Sequence, residues 1–477
     1  MKGGEVDKEL KIALPKGRLL TETADFLKRA GWGLSDYHEG TRLYRIKSRR
    51  FPHLLAKMFS EKDIPIQVAV GNYDLGICGL DWVKELLARY PSSALVKVQN
   101  LGCGEDALHM VVSRSLGVTT PEELTARAEV IRIASEYPNL AESFALNLRL
   151  RRFSVFPLWG GAEVYPPESA DLALVPGRGD KFYEAGLVPI SQVLSFSAFL
   201  IANKTSWEIK DLGEAVASIC EQSVAGEQYR PSLDMTPAPE MAGQWPSTKA
   251  GAVRLALPDG HQQLPTVSLL DKAGIQIDDY PSPTGNRRPR VNLPGVVAKV
   301  IRPQDMPLQV ATGNFDLAIT GRDWLKEHLY RFPSSPVTEL LDLKFGWVRI
   351  VAVVSNDLSV DGSDGLRQLC AERSLPLRVA SEYVNIADKY ARDNRLGMYR
   401  IIPTWGASEA FLPEDADLLI ENTETGRTIA RHNLKIIDTL FESTARLIGN
   451  KDSITSPSKG ERIRSITETL RAAVEDI

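Results

Sequence analysis

Short runs of aliphatic and β-branched residues alternate along this chain with stretches whose apolar positions recur every three or four residues. KIAL (Lys11–Leu14) reads as a buried strand. In the following ETADFLKRAGW, residues Ala24, Phe26, Leu27 and Ala30 form a helical stripe that ends at Gly31. IPIQVAVGNYDLGICG (Ile64–Gly79) reads as helix, turn and buried strand, and DWVKELLARY (Asp81–Tyr90) as a helix with Asp81 as its cap. ALHMVVS is another strand. A second set begins with VIRIASEY, passes through an amphipathic helix at Leu140–Leu150, and includes the strands FSVFPLW and DLALV. FLIANKTS then gives a strand, and IKDLGEAVASICEQ (Ile209–Gln222) one helix. This alternation predicts an α/β fold with a largely parallel sheet.

The pattern then repeats. ALPKGRLL (Ala13–Leu20) returns as ALPDGHQQ (Ala256–Gln263), and KDIPIQVAVGNYDLGICGLDWVKE (Lys62–Glu85) as QDMPLQVATGNFDLAITGRDWLKE (Gln304–Glu327). YPSS, SEYPN, WGGAE and SAFLIAN return as FPSS, SEYVN, WGASE and TARLIGN, in the same order, the offset drifting only from 242 to 247 residues. So long a period is a duplicated globular domain, since solenoid repeats are far shorter. The reading is copy one over residues 1–224, a Pro/Ser/Gly-rich linker over 225–250, and copy two over 251–477, ending in a helix from Ser458. About 200 residues per copy exceeds one compact layer and predicts two lobes with a cleft between them. Ligands in open α/β sheets sit beyond the carboxyl ends of the strands.

Composition narrows the function. With 43% apolar residues in 477 the chain has ample material for packed cores. A net charge of −4, with acids and bases interspersed, gives no argument for a nucleic-acid footprint, which needs a strongly basic face. Four cysteines without CxxC pairing, and six histidines without metal-ligand spacing, support neither a disulfide framework nor a zinc site. The N-terminus is no secretory signal, and no stretch approaches the ~18 apolar residues of a membrane span. These features predict a cytoplasmic protein with no membrane partner.

The segment richest in chemistry is IENTETGRTIARHNL (Ile420–Leu434), directly after an apolar strand. Gly426 permits close backbone approach, Thr425 and Thr428 offer hydroxyls, Arg427 adds a cation, and a helix follows: the ingredients of a phosphate cradle. Glu421 and Glu424 would repel a bare phosphate but suit a ligand that also presents hydroxyls or magnesium. Other residues read as structural. Asp74 and Asp316 cap turns, Gly71 and Gly313 make them, and RIKSRR (Arg45–Arg50) is a solvated face. Trp82, Trp324, Trp159 and Trp405 read as packing residues, with adenine stacking a second role for Trp405. Arg287, Arg288 and Arg290, in a Pro-rich segment, also read as structural, with contact to a pyrophosphate a second role.

Taken together, ALPKGRL, RPQDMP…GNFDLAITGRDWL, SEYPN, the WGxxE segment and TETGRT followed by LIxN resemble the catalytic subunit of the ATP phosphoribosyltransferase family, the first enzyme of histidine biosynthesis. The resemblance implies that each copy has the two-lobed fold of the type II periplasmic binding proteins. It implies that phosphoribosyl pyrophosphate (PRPP) sits with Mg2+ on the TGxT loop, and that adenine N1 of ATP attacks the ribose C1 as pyrophosphate leaves. At matching positions Glu421, Glu424, Thr425, Gly426, Arg427 and Thr428 would hold the ribose 5-phosphate, and Glu421 or Glu424 the magnesium. Lys16, Arg18, Arg42 and Arg302 would neutralise the polyphosphates, and Lys16, Arg18 and Trp405 would meet ATP. Catalysis is then mostly positioning and charge stabilisation of the departing pyrophosphate, for which arginine's bidentate fork is suited.

The copies depart from that pattern in complementary ways. Copy one keeps Lys16-Gly17-Arg18 but has FSEKD where copy two has IRPQD, losing the arginine, and its loop VPGRGDKFYEAGL lacks threonines and carries Asp180. Copy two keeps Arg302 and TETGRT but has Asp259-Gly260-His261 for KGR. Within its loop, Glu421 stands where the family usually has Asp, and His432 where it has Asn. The expectation is therefore an internal pseudo-dimer with one composite site per chain, the alternative being a non-catalytic nucleotide- or PRPP-binding regulatory paralogue. The short form of the family usually works with a regulatory subunit resembling histidyl-tRNA synthetase; either such a partner serves this chain or the duplication replaces it.

Overall fold

The computed structural model describes residues 9–41, 44–177, 182–183, 185–222, 251–283, 285–406 and 408–475. Arg42, Asp180 and the linker 225–250 lie outside the described residues. The chain packs as two compact units. The first comprises Met1–Pro157, Leu172–Met241 and Thr404–Ala410, and the second Leu158–Asp171, Ala242–Pro403 and Phe411–Ile477. The WGxxE segments are thus exchanged, each packing in the unit built mainly by the other copy. The repeat boundaries in the sequence do not foretell this.

In the second unit, the first sheet runs Val296–Ile301, Val253–Pro258, Leu317–Gly321, Ala445–Asn450, Val337–Asp342 from edge to edge. The first three strands are parallel, and Ala445–Asn450 is antiparallel to both of its neighbours, so the sheet is mixed where a largely parallel one was expected. A strand from late in the copy is therefore inserted before the fourth. This is the order of type II periplasmic-binding-protein lobes, and it makes the chain cross between lobes twice. The second lobe's sheet runs Tyr399–Pro403, Leu377–Ser381, Leu418–Thr423, Val348–Ser355, Leu434–Ser443. The first unit repeats both sheets, with one short strand, Arg45–Ile46, added at an edge.

The sequence periodicities have the expected physical basis. Phe26 and Leu27 from the predicted stripe are buried with Ile12, Leu14 and Trp32 in one core. Asp74 and Asp316 are structural, as expected, but they tie distant segments together and do not cap turns. Asp74 accepts the Lys11 N–H and the Ser206 hydroxyl, and Asp316 accepts the Arg254 N–H and the Ser453 hydroxyl. Three further local expectations differ. Asp81 does not cap its helix; Gly79 does, and Asp81 points inward, fully buried. The helix expected over Leu140–Leu150 spans Pro138–Asn147. The helix expected over Ile209–Gln222 is two, Lys204–Ile209 and Gly213–Cys220, because Asp211 accepts the Gly213 N–H and starts a new turn.

The two lobes of each unit are tied by a repeated device. Glu85, on helix Leu80–Arg89, accepts the backbone N–H groups of Asn139 and Leu140 at the start of helix Pro138–Asn147. Glu327, on helix Arg322–Arg331, does the same for Asn385 and Ile386 of helix Val384–Asp393. A carboxylate facing helix N–H groups satisfies orphan donors and meets the positive end of the dipole.

The exchanged segment in the second unit is held by charge. Lys299, 4% exposed, lies 2.6 Å from Glu168 and donates to the Val164 carbonyl at 3.1 Å. Arg288 holds the other Glu168 oxygen at 2.7 Å and the carbonyl oxygens of Val164 and Pro166. Against the cost of burial, Lys299 and Arg288 hold the Glu168 carboxyl below its ordinary value. Burial and the neighbouring Arg288 push Lys299 down.

Glu168→Ala would leave the buried Lys299 and the half-buried Arg288 without this counter-ion and should destabilise the second unit by about 3 kcal/mol, as breaking a buried pair does. The depressed carboxyl also sets a sign. Its contribution is present above the unfolded value of 4.5 and is lost as pH falls through the lower folded value. Denaturant unfolding should therefore show wild type converging on the variant in acid, and parallel pH profiles would refute this assignment.

Candidate active site

Both cleft floors are built at the carboxyl ends of strands, and their charges are arranged oppositely. In the first unit Lys16 ends strand Leu10–Lys16, and its ammonium lies 5.1 Å from the centre of the Tyr44 ring. Arg18 is committed elsewhere. It bonds Glu61 at 2.7 Å and Asp81 at 3.1 Å, and its guanidinium lies over Phe196. Glu61 also accepts the Leu19 N–H, and Asp81 accepts the Tyr137 hydroxyl at 2.8 Å. Burial pushes both carboxyls up while Arg18 opposes it, and the two carboxylates raise Arg18 despite its own burial.

In the second unit the signs are exchanged. The backbone bond from Val300 to the Arg287 carbonyl matches that from Met58 to Tyr44, so Arg287 takes the place of Tyr44. Asp259 takes the place of Lys16 and Arg302 that of Ser60. Asp259 lies 2.9 Å from Arg287 and 3.7 Å from Arg302. Against burial, Arg287 and then Arg302 hold its carboxyl below the ordinary value. The acid that looks like a charge defect in the sequence is therefore a paired one. Arg287 points to this floor, whereas Arg288 is spent on Glu168.

A cavity of about 160 Å³ opens there. It is lined from the first lobe by Asp259, His261, Gln262, Arg302, Gln304, Asp323 and Trp324 and from the second by Glu382, Tyr383 and Asn422. Asp323 accepts the hydroxyls of Tyr383 and Ser443, each at 2.7 Å, and Asn422 donates to the Tyr383 oxygen. Tyr383 stacks at a tilt on Trp324, 4.4 Å between ring centres. Asn422 begins the descent into TETGRT. Thr423 accepts the Gly426 N–H at 2.9 Å, and Gly426, at φ 73°, turns the chain into the short helix Arg427–Arg431. Glu424, Thr425, Arg427 and Thr428 are exposed, and Glu421 is half-buried.

The structure thus gathers Arg302 and the base of the TETGRT loop around one cleft, together with Asp259, Tyr383 and Asp323. Lys16 and Arg18 belong to the first unit, as does Trp405. The tryptophan packed beside the second unit's cleft is Trp159, whose ring meets Trp324 edge-on at 5.6 Å and whose backbone N–H donates to Asp305. Glu61 was not singled out from the sequence. Its signal was there, a glutamate aligned with Pro303 next to a lost arginine.

Arg18→Ala would strand two buried carboxylates. It should lower stability by about 2 kcal/mol, the lower end for a pair whose cation is one-third exposed, whereas Lys16→Ala should leave stability unchanged. Thermal unfolding of the two variants checks this. An Arg18 variant as stable as wild type would mean that the ion cluster is incidental.

The profile of the family described as HisG, ATP phosphoribosyltransferase, matches residues 60–223 and again 302–472. An ATP phosphoribosyltransferase of Pelotomaculum thermopropionicum is 30% identical over 227 residues, 46% of this chain and 73% of that protein. One from Pelodictyon phaeoclathratiforme is 32% identical over 231 residues, 46% and 71% respectively. Among solved structures, the ATP phosphoribosyl transferase (HisG:HisZ) complex from Thermotoga maritima aligns with 47% of this chain and 100% of its own, at 23% identity and a TM-score of 0.39. The chain belongs to the ATP phosphoribosyltransferase family, a family of transferases, and carries the family's sequence twice.

Proposed function

We propose that the second unit's cleft binds PRPP and transfers its phosphoribosyl group to N1 of the adenine of ATP, releasing pyrophosphate, at one site per chain. The observation that supports this most is that TETGRT, intact only in copy two, leaves the strand whose Asn422 lines the same cavity as Arg302. Thr425, Gly426, Arg427 and Thr428 hold the 5-phosphate in this reading. Arg302 and Arg287, already paired through Asp259, meet the charge that develops on the leaving pyrophosphate.

Magnesium fits as a companion of the substrate. Among the described residues no group of three or more His, Cys, Asp or Glu is arranged to hold a metal. A magnesium ion carried by polyphosphate oxygens needs only one or two carboxylates, and Glu421 and Glu424 are those of the loop. It would supply charge neutralisation of the pyrophosphate. Copy one contributes through Lys16 in this reading, on the strength of the complementary losses in the sequence. The second reading, a non-catalytic binding paralogue, is favoured by the capture of Arg18 in its own ion cluster.

Formation of phosphoribosyl-ATP from ATP, PRPP and magnesium by the purified chain separates the two readings. Gly426→Val would force a β-branched residue to φ 73° and should abolish PRPP binding in calorimetry. Lys16→Ala should keep PRPP binding and lose about 2–4 kcal/mol of transition-state stabilisation. Two equivalent PRPP sites per chain, or a Lys16 variant with full turnover, would remove the assisting role of copy one.

A further inference from the structure

Two glutamines in the second unit's cavity have no structural explanation. Gln262 aligns with Leu19, a core residue 1% exposed in the first unit, yet it is itself only 7% exposed. Its Oε1 is shut off from water and has no hydrogen-bond partner, and its Nε2 runs beside Gly346. Gln304, aligned with Lys62, likewise buries an Oε1 without a partner. Both residues line the same cavity. An unsatisfied buried amide is costly and calls for a reason, and a leucine was available at the first position in the other copy.

The lining also includes Asp259, Asp323 and Glu382, against Arg302 as its arginine. A wall this rich in acceptors suits a group that donates hydrogen bonds more than it suits a bare phosphate. We propose that Gln262 and Gln304 recognise an uncharged donor on the substrate, a ribose hydroxyl or a purine amino group, and so determine specificity in the cleft. This rests on the PRPP and ATP reading of the same site. Rotation about the last side-chain torsion would turn the buried, unpartnered oxygen of each amide into the cavity, where an O–H or N–H of the ligand would meet it.

The test is calorimetry of the full chain with ribose 5-phosphate, AMP, IMP and inorganic pyrophosphate. Wild type is compared with Gln262→Leu and Gln304→Leu. Each variant should bind the donor-bearing ligand about tenfold more weakly, the value of one well-placed hydrogen bond, with pyrophosphate unchanged. Weakening for ribose 5-phosphate, AMP and IMP alike assigns the donor to ribose, and weakening for AMP alone assigns it to the amino group. The melting temperature of Gln262→Leu should be equal to or above that of wild type, since the variant removes an unpaired polar group. A glutamine that only supports the fold would lower it. Unchanged affinities, or pyrophosphate weakening in parallel, would overturn the proposal while leaving the PRPP reading intact. A wild type that binds none of these ligands would overturn both.

Discussion

A carboxylate set against the start of a helix holds each unit in its two-lobed form. Glu85 and Glu327 sit on first-lobe helices and accept the leading N–H groups of second-lobe helices, with Asn139 and Asn385 closing the same contacts by their side-chain amides. Beside them Asp81 and Asp323 accept Tyr137 and Tyr383 across the same cleft. Burial works against all of these acids except where N–H or O–H donors meet them, and so the donors must stay in place. These contacts join a first-lobe helix to a second-lobe helix beside each cleft.

Within this frame the two copies have diverged by exchanging charge and conserving its pairing. One floor pairs Arg18 with Glu61 and Asp81, and the other pairs Asp259 with Arg287 and Arg302. A lone buried charge costs several kcal/mol, so a change of sign at one position is tolerated only with a compensating change nearby. Serine and glutamate at 60 and 61, against arginine and proline at 302 and 303, are such compensation. The second floor keeps two arginines, and the first turns its arginine inward.

The exchanged WGxxE segments show the same economy of charge. Lys57 and Lys299 occupy equivalent strand positions and both are buried. Lys57 donates to the Ala410 carbonyl at 2.6 Å and Lys299 to that of Val164 at 3.1 Å. A buried ammonium without acceptors would not survive in either core, and the exchanged loops bring the acceptors. The loop in each unit is thereby part of the core and not a surface connection.

The duplication, the alternating elements and the family are legible in the sequence alone. This is because strands and helices bury one face each, and that periodicity is written locally in residues such as Phe26 and Leu27. The phosphate-loop candidate is legible too, since a strand running into Thr-Glu-Thr-Gly-Arg-Thr is a contiguous signal. What the isolated charges do is set by partners that folding brings to them. Asp81 reads as a helix cap until Arg18 and Tyr137 are seen to close on it, and Asp259 reads as a defect until Arg287 and Arg302 are placed beside it. The exchange of Leu158–Asp171 was equally hidden, because nothing local in WGGAE says which copy of the repeated core will receive it. Periodicity depends on neighbours in the chain, whereas the energy of a buried charge depends on groups tens to hundreds of residues away.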